Sequence, residues 1–433
     1  VILDRAAAAA LVPRPASTVV LLRDGAAGAE VLLTRRPASM AFGPGLHVFP
    51  GGAVEPADAD PTAAARLGVD AGSCASVWAG DLEPGEALGH AMAAVRELYE
   101  EAGILLAEDG DGRVPAAAVV EAAHRAGEPL SILAARLGLR LRVDRLVPLS
   151  HWVTPPIDVT RRYDARFFVA DAADGTGFRL DEREVTGHVW IRPVDALEAF
   201  RTGEIELWAP TSSTLRQVRA ARRAADVRSV LAPLGPAREP TVERLGPTIT
   251  RVRACTAGGL PGRPVCTYLV GRRRMVVVDP GDPNGSAAEA VLGAAAAAGG
   301  RVAAVAVTSP DPAHAGGVIG LAGRAGVPVL AGPGVGREVF AGVRALADGD
   351  RVDLGDVPLV AFSTPGFDPA HLAFDVEGEG CVLTGDLFDP GPATTVPEPI
   401  DEQAAARSRA LVEALGSRRR LGAHDPASPA GRG

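Results

Sequence analysis

The sequence contains no lysine, so every side chain with a permanent positive charge is an arginine. With 44 of these against 53 Asp and Glu the formal net charge is -9, which argues against the clustered positive charge that a nucleic-acid polymer requires. Together with the abundance of alanine and glycine, the missing lysine reads as coding bias from a GC-rich genome. Cysteine is scarce as well. The four present, Cys74, Cys255, Cys266 and Cys381, lie far apart without a CxxC spacing, so neither a zinc knuckle nor a disulfide framework is indicated and buried thiols are expected. The opening VILDRAAAAALVPRP has an early acid and a short apolar run broken by Pro13. It fits neither a signal peptide nor a membrane span, so the expectation is a cytoplasmic protein with no membrane partner.

What is present begins with length: 433 residues, 47% of them apolar, predict two or three domains with full cores. The most informative stretch is RELYEEAGI, residues 96 to 104. At helical spacing, Glu97, Glu100 and Glu101 share one face while Ala91, Ala94, Val95, Leu98 and Ala102 fall on the other. Like charges so placed oppose helix formation by a few tenths of a kcal/mol per pair, roughly, and a hard divalent cation would compensate them. The helix should begin near Pro84 and stop at Gly103.

Upstream, STVVLLR at 17–23 and EVLLTRR at 30–36 read as a strand pair joined by the turn DGAAGA. In MAFGPGLHVFPGGAVEP, glycines crowd a short apolar run, as where backbone approaches a ligand closely, and Gly51 and Gly52 stand out. Residues 54–83 look like an insertion packed on the surface. Downstream, 116–138 carry a helical pattern, 146–153, 163–170 and 184–193 read as strands, and DALEAFRTGEI as a short helix. A longer helix follows in PTSSTLRQVRAARRAA, with Ser212 or Ser213 near its cap. His90, His124, His151 and His188 read as structural or surface residues.

RELYEEAGI matches every position of the second half of the Nudix box, and FPGG precedes it as in Nudix hydrolases. The first half departs: the compact box has a glycine where Leu82 stands, and the matching glycines are displaced upstream by the insertion. This insertion, SHWVTPP at 150–156 and RRYDARFFVA at 161–170 resemble the coenzyme A diphosphatase-like branch. The resemblance implies Mg²⁺ or Mn²⁺ held by Glu100 and Glu101, with Glu97 as further ligand or base. It also implies a backbone carbonyl of the FPGG turn at Gly52 and Arg96 orienting the carboxylates. Arg36 and Arg162 are candidates for substrate phosphate contacts.

Around 232–246 the chain is rich in proline and charge and reads as a boundary; strand and helix then alternate. VVVDPG, VTSPDPAHAGG, STPGFDPAHLAF and LTGDLF resemble the metallo-β-lactamase fold over about 247–425, with damaged ligands. The family's HxHxDH signature falls on Ser309, Asp311, Ala313 and His314, and the histidine of its TPGH element is Phe367. Its dinuclear site uses five histidines, whereas this half has His314, His371 and His424. A zinc pair is therefore not expected. His314, Asp386 and His424, with Asp311, could hold one ion as a vestigial site.

The expected protein is an α/β two-domain chain: a Nudix α/β/α sandwich (1–235), a linker (236–246) and a metallo-β-lactamase-like αββα sandwich (247–433). The leading function is Mg²⁺-dependent cleavage of a diphosphate linkage in a nucleoside-diphosphate-type small molecule, with coenzyme A or an acyl-coenzyme A as the candidate substrate and a non-catalytic second domain. The alternatives are a bifunctional hydrolase with a mononuclear esterase or thioesterase site in the second domain, and a non-catalytic nucleotide sensor. Homo-oligomerisation is left open.

Overall fold

Val19, Val20, Leu21 and Leu22 are all fully buried, so the strand that carries them is covered on both faces. In the computed structural model, this strand is Arg14–Gly25. The structure describes residues 12–37, 44–77, 82–154, 161–172, 187–219, 223–224, 238–255, 265–281, 286–333, 335, 343–388, 401–416 and 418–424. The chain divides into two compact units, Val1–Pro236 and Ala237–Gly433.

In the first unit Arg14–Gly25 forms the expected hairpin with Gly28–Arg35. Nearer its start it pairs antiparallel with Gly51–Ala53, setting Ser17 opposite Gly52, and its other edge pairs in parallel with Tyr163–Asp171. Val147–Val153, Gly187–Ile191 and His47–Val48 complete a seven-stranded mixed sheet. Side chains alternate across it. Val19, Leu21, Leu32 and Phe168 meet the helix Pro84–Ala102 on one face. Val20, Leu22, Val31, Leu33 and Val169 pack on the other with residues from the helices Pro193–Thr202 and Ala209–Val218, giving the α/β/α sandwich.

One local expectation is refined and two are corrected. The pattern over 116–138 is two helices, Ala117–Arg125 and Leu130–Leu137, because Gly127 turns the chain with a left-handed φ of 67° and Pro129 caps the second. Ser212 lies inside the helix Ala209–Val218, capped by Trp208, and its N–H donates to the Trp208 carbonyl. The insertion is not a surface appendage: Ala64, Leu67, Val69 and Cys74 are buried in the same core as the long helix.

The second unit is built of two sheets. In one, Arg238–Arg244, Ile249–Cys255, Val265–Val270 and Arg274–Val278 run antiparallel, and Arg301–Ala306, Val329–Ala331 and Val343–Ala345 continue it in parallel. The other contains Arg351–Val352, Leu359–Ser363, Leu372–Val376, Cys381–Gly385 and Arg419–Gly422. Tyr268, Val276, Val278, Leu359, Phe374 and Leu383 fill the space between the sheets. The helices Ser286–Ala297 and Val318–Ala325 cover the outside of the first sheet, and Glu402–Ala414 covers the second, the αββα arrangement. Cys74, Cys266 and Cys381 are buried free thiols. No helix among the described residues is long and apolar enough to cross a membrane.

The stretch expected as a linker contains the edge strand Arg238–Arg244, which pairs with Ile249–Cys255 and places Glu243 2.6 Å from the buried Arg251. Its charges blunt an otherwise open sheet edge. A second unit begun at residue 247 is therefore expected to aggregate and melt below one begun at 237, as read by size exclusion and thermal unfolding; equal behaviour of the two would show the strand to be dispensable.

Candidate active site and a second polar cluster

The helix Pro84–Ala102 starts with proline at its first position and a reciprocal cap between Glu83 and Glu86, and ends at Gly103 with φ 65°. Its apolar face, including Ala91, Ala94, Val95, Leu98 and Ala102, is buried. Glu97, Glu100 and Glu101 occupy the C-terminal turns, where the helix dipole disfavours negative charge. Arg96 supplies local compensation. Its Nη1 donates to Glu97 at 2.8 Å and to Glu100 at 2.9 Å, and its Nη2 to the Ala53 carbonyl at 2.9 Å.

The bidentate partner of Arg96 is a residue that sequence reasoning missed. Asp58, in the turn Pro56–Ala59, receives Nε at 3.1 Å and Nη2 at 3.0 Å and is 6% exposed. The other face of Asp58 accepts the Glu55 N–H at 2.8 Å, so the turn itself aims the carboxylate. A signal was present: an acid two residues beyond a proline, directly after the glycine turn, has the form of a capped helical turn. Burial opposes charge on Arg96, but Asp58, Glu97 and Glu100 outweigh it and hold the guanidinium above its ordinary pKa.

The glycine turn closes on the same acids. Gly51 N–H donates to Glu101 at 3.1 Å. A Cβ on Gly52 would lie 2.4 Å from a Glu97 carboxylate oxygen, so only glycine leaves that carboxylate its place. The structure thus ties Arg96 to Glu97 and Glu100 and sets the glycine turn against Glu97 and Glu101, without bringing one oxygen from each of the three glutamates within 4.8 Å of one another. Arg36 and Arg162 sit at strand ends: the Arg36 N–H donates to the Leu46 carbonyl, and Arg162 Nε anchors on the Thr154 carbonyl at 2.8 Å. Carboxylate oxygens beside a peptide carbonyl are the donor set of a hard divalent cation.

A polar row crosses the sheet beside this site. Gly52 pairs with Ser17, Ser17 with Arg166, and Arg166 with His151, so these residues share the face turned to the helix. Ser17 Oγ bonds the His90 carbonyl at 2.8 Å and lies 3.1 Å from His90 Nδ1, and His151 Nε2 lies 2.6 Å from Asp164. Burial, with Arg166 adding to it, pushes the His90 pKa down to about 4 from 6.5. The unfolded chain takes up that proton below about pH 6.5 and the folded chain only near pH 4. Stability present at neutral pH is thus lost as pH falls through that window, up to about 3 kcal/mol from this residue. Urea unfolding at pH 7 and pH 5 should show this slope reduced in His90→Gln; an unchanged slope would refute the assignment.

In the second unit, Ser309 and Phe367 stand where the resemblance would require imidazoles, and Phe367 packs with Ala373, Val382 and Leu387 in an apolar cluster. The residues do not fit a zinc pair. Instead, fully buried His314 is held at both nitrogens: Nδ1 lies 2.9 Å from Asp279 and Nε2 2.9 Å from Asp386. Burial disfavours the charged imidazole, but Asp386 and Asp279 outweigh it and raise its pKa well above 6.5. Asp279, whose role was not foreseen, adopts a left-handed φ of 55° and accepts the Thr308 N–H and hydroxyl, each at 2.7 Å. Among the described residues, His314, Asp386 and His424 bring three ligating atoms within 4.8 Å of one another. The Asp311 N–H meets Ser309 Oγ at 3.2 Å, and its carbonyl accepts the His314 N–H at 2.8 Å.

Residues 77–218 match the family profile described as the NUDT19 Nudix domain, and residues 259–427 that of the Metallo-beta-lactamase superfamily. The acyl-coenzyme A diphosphatase NUDT19 of Gallus gallus is 33% identical over 42% of this chain and 58% of its own length; the chain thus spans little more than half of that relative. Among solved structures, a NUDIX hydrolase from Alicyclobacillus acidocaldarius is 30% identical, covering 52% of this chain and all of its own, with a TM-score of 0.43. MEM-A1, a subclass B3 metallo-beta-lactamase from a soil metagenome library, is 20% identical over 43% of this chain and 80% of its own, with a TM-score of 0.33.

Proposed function

We propose, for a chain that joins a Nudix domain to a metallo-β-lactamase-superfamily domain, that the first hydrolyses a diphosphate linkage in a small molecule of the coenzyme A or acyl-coenzyme A class. The observation that carries this reading is the closure of the Gly51–Gly52 turn onto Glu101 and Glu97 while Arg96 binds Glu97 and Glu100. It is supported by the likeness to the NUDT19 relatives. Glu97, Glu100, Glu101 and the Gly52 carbonyl would hold Mg²⁺ or Mn²⁺, which when bound neutralises phosphate oxygens and makes water more acidic.

The protein's own groups do the rest. Arg96, tied to Asp58, fixes the carboxylates so that little reorganisation accompanies the reaction. Glu97, 12% exposed, would accept a proton from the attacking water. Arg36 and Arg162 supply guanidinium groups for the substrate phosphates, with the forked geometry that suits them. Water adds to one phosphorus, the bridging P–O bond breaks, and coenzyme A yields 3′,5′-ADP and a phosphopantetheine. Incubation of the full chain with Mg²⁺ and a panel of diphosphates, coenzyme A included, should release these two products. Absence of turnover across the panel, or full activity in Glu100→Gln, would overturn the proposal.

One observation favours a second reading, a single-ion ester or thioester hydrolase in the second domain: the proximity of His314, Asp386 and His424. Against it, both His314 nitrogens are already engaged by carboxylates. Chelator-stripped Glu97→Gln/Glu100→Gln protein is expected to take up no transition metal by elemental analysis. Uptake of one equivalent that Asp386→Asn abolishes would establish the second reading instead.

A further inference from the structure

In a chain of net charge -9, one cavity of about 280 Å³ in the second unit is lined by three arginines and no carboxylate. Arg244, Arg272 and Arg273 surround it with Thr250, Pro247, Gly271, Met275 and Ala298. It is formed by the turn between the strands Val265–Val270 and Arg274–Val278 and by the turn that follows Arg238–Arg244.

The arginine turn is built rather than incidental. Gly271 takes φ 127°, and its N–H donates to the Thr248 carbonyl at 2.8 Å, while the Arg273 carbonyl accepts the Arg301 N–H at 2.8 Å. Asp356 comes close, but its oxygens accept the backbone N–H groups of Arg272 at 2.9 Å and Arg273 at 2.8 Å. That carboxylate therefore fixes the turn's backbone. Arg244 is curled over its own turn, donating to the carbonyls of Gly246 at 3.2 Å and Pro247 at 3.1 Å, which holds a third guanidinium at the cavity without removing its charge. Thr250 adds a hydroxyl, and Met275, Pro247 and Ala298 supply an apolar floor.

We propose that this cavity is a binding site for a small phosphate-bearing anion, separate from the acidic helix. Three guanidinium groups recognise phosphate oxygens through charge-assisted, forked hydrogen bonds. The volume lies at the small end for ligand pockets, about 300–1,000 Å³, which fits a phosphate monoester or diphosphate group with a short organic portion. The site involves none of the residues assigned to hydrolysis and does not depend on that assignment.

The test uses the full chain in chelator with inorganic pyrophosphate as probe and hydrogen–deuterium exchange as a local readout. Pyrophosphate at millimolar concentration should slow exchange in peptides spanning 244–250 and 271–275, acetate should not, and Arg272→Glu/Arg273→Glu should raise the midpoint about tenfold or more. Arg272→Gln/Arg273→Gln, which removes charge without reversing it, covers the case in which the first variant fails to fold. No protection in these peptides, equal protection by acetate, or an unchanged midpoint in the neutral variant would overturn the proposal.

Discussion

Glu97→Gln is expected to lower kcat on the best diphosphate substrate by about 10²–10³-fold, the scale of removing one charge-stabilising group from a preorganised site. The substitution is nearly isosteric and keeps an acceptor for Arg96 Nη1, now 2.8 Å from the carboxylate. Its melting temperature should stay close to that of the parent, which separates lost chemistry from lost fold. Glu86→Gln, a change at the cap of the same helix, should keep nearly full activity. Comparable losses in both variants would mean that the helix, and not its acidic face, was being tested.

Asp58→Ala should give the largest stability loss, about 3 kcal/mol, because it strips a half-buried guanidinium of its buried two-point partner. Arg96 would keep Glu97 and Glu100, so the loss should be partial, and kcat should fall with it as the carboxylates lose their fixed arrangement. Asp58→Asn should fall between, keeping the geometry but not the charge. Denaturant unfolding and steady-state kinetics on the three proteins decide the matter; an Asp58→Ala protein of parental stability would show that Arg96 needs no partner from the insertion.

These two residues also mark what was readable in the chain. The acidic helix carries its own punctuation, Pro84 at the start and Gly103 at the end, and its two faces follow from spacing alone. The hairpin of Arg14–Gly25 and Gly28–Arg35 likewise rests on a local turn. The local pattern around Asp58 marks a capped turn, but not that the acid meets Arg96, because that partner lies on another element. Composition misled at 236–246: the charges of REPTVER suit a linker and a protected edge strand equally, and only pairing with Ile249–Cys255 decides. The insertion was misjudged for a related reason, since its few apolar residues, Ala64, Leu67, Val69 and Cys74, show no long periodic run yet all point into one core. In the second unit the lost imidazoles were legible as letters. That His314 would instead be clasped by Asp279 and Asp386 required the strands to bring three distant segments together.

The parallel pairing of Arg14–Gly25 with Tyr163–Asp171 has a consequence for how the protein is made. Arg14 lies beside Tyr163 and Leu22 beside Asp171, contacts separated by about 150 residues of chain, a spacing that slows folding because loop closure precedes the gain from pairing. During synthesis the amino-terminal hairpin and the acidic helix leave the ribosome well before the strand that completes their sheet. At about 5–20 residues per second, the helix's apolar face and the sheet's open edge wait several seconds for that strand. The nascent first unit should therefore recruit chaperones until residue 171 emerges, and shorter nascent chains should remain protease-sensitive.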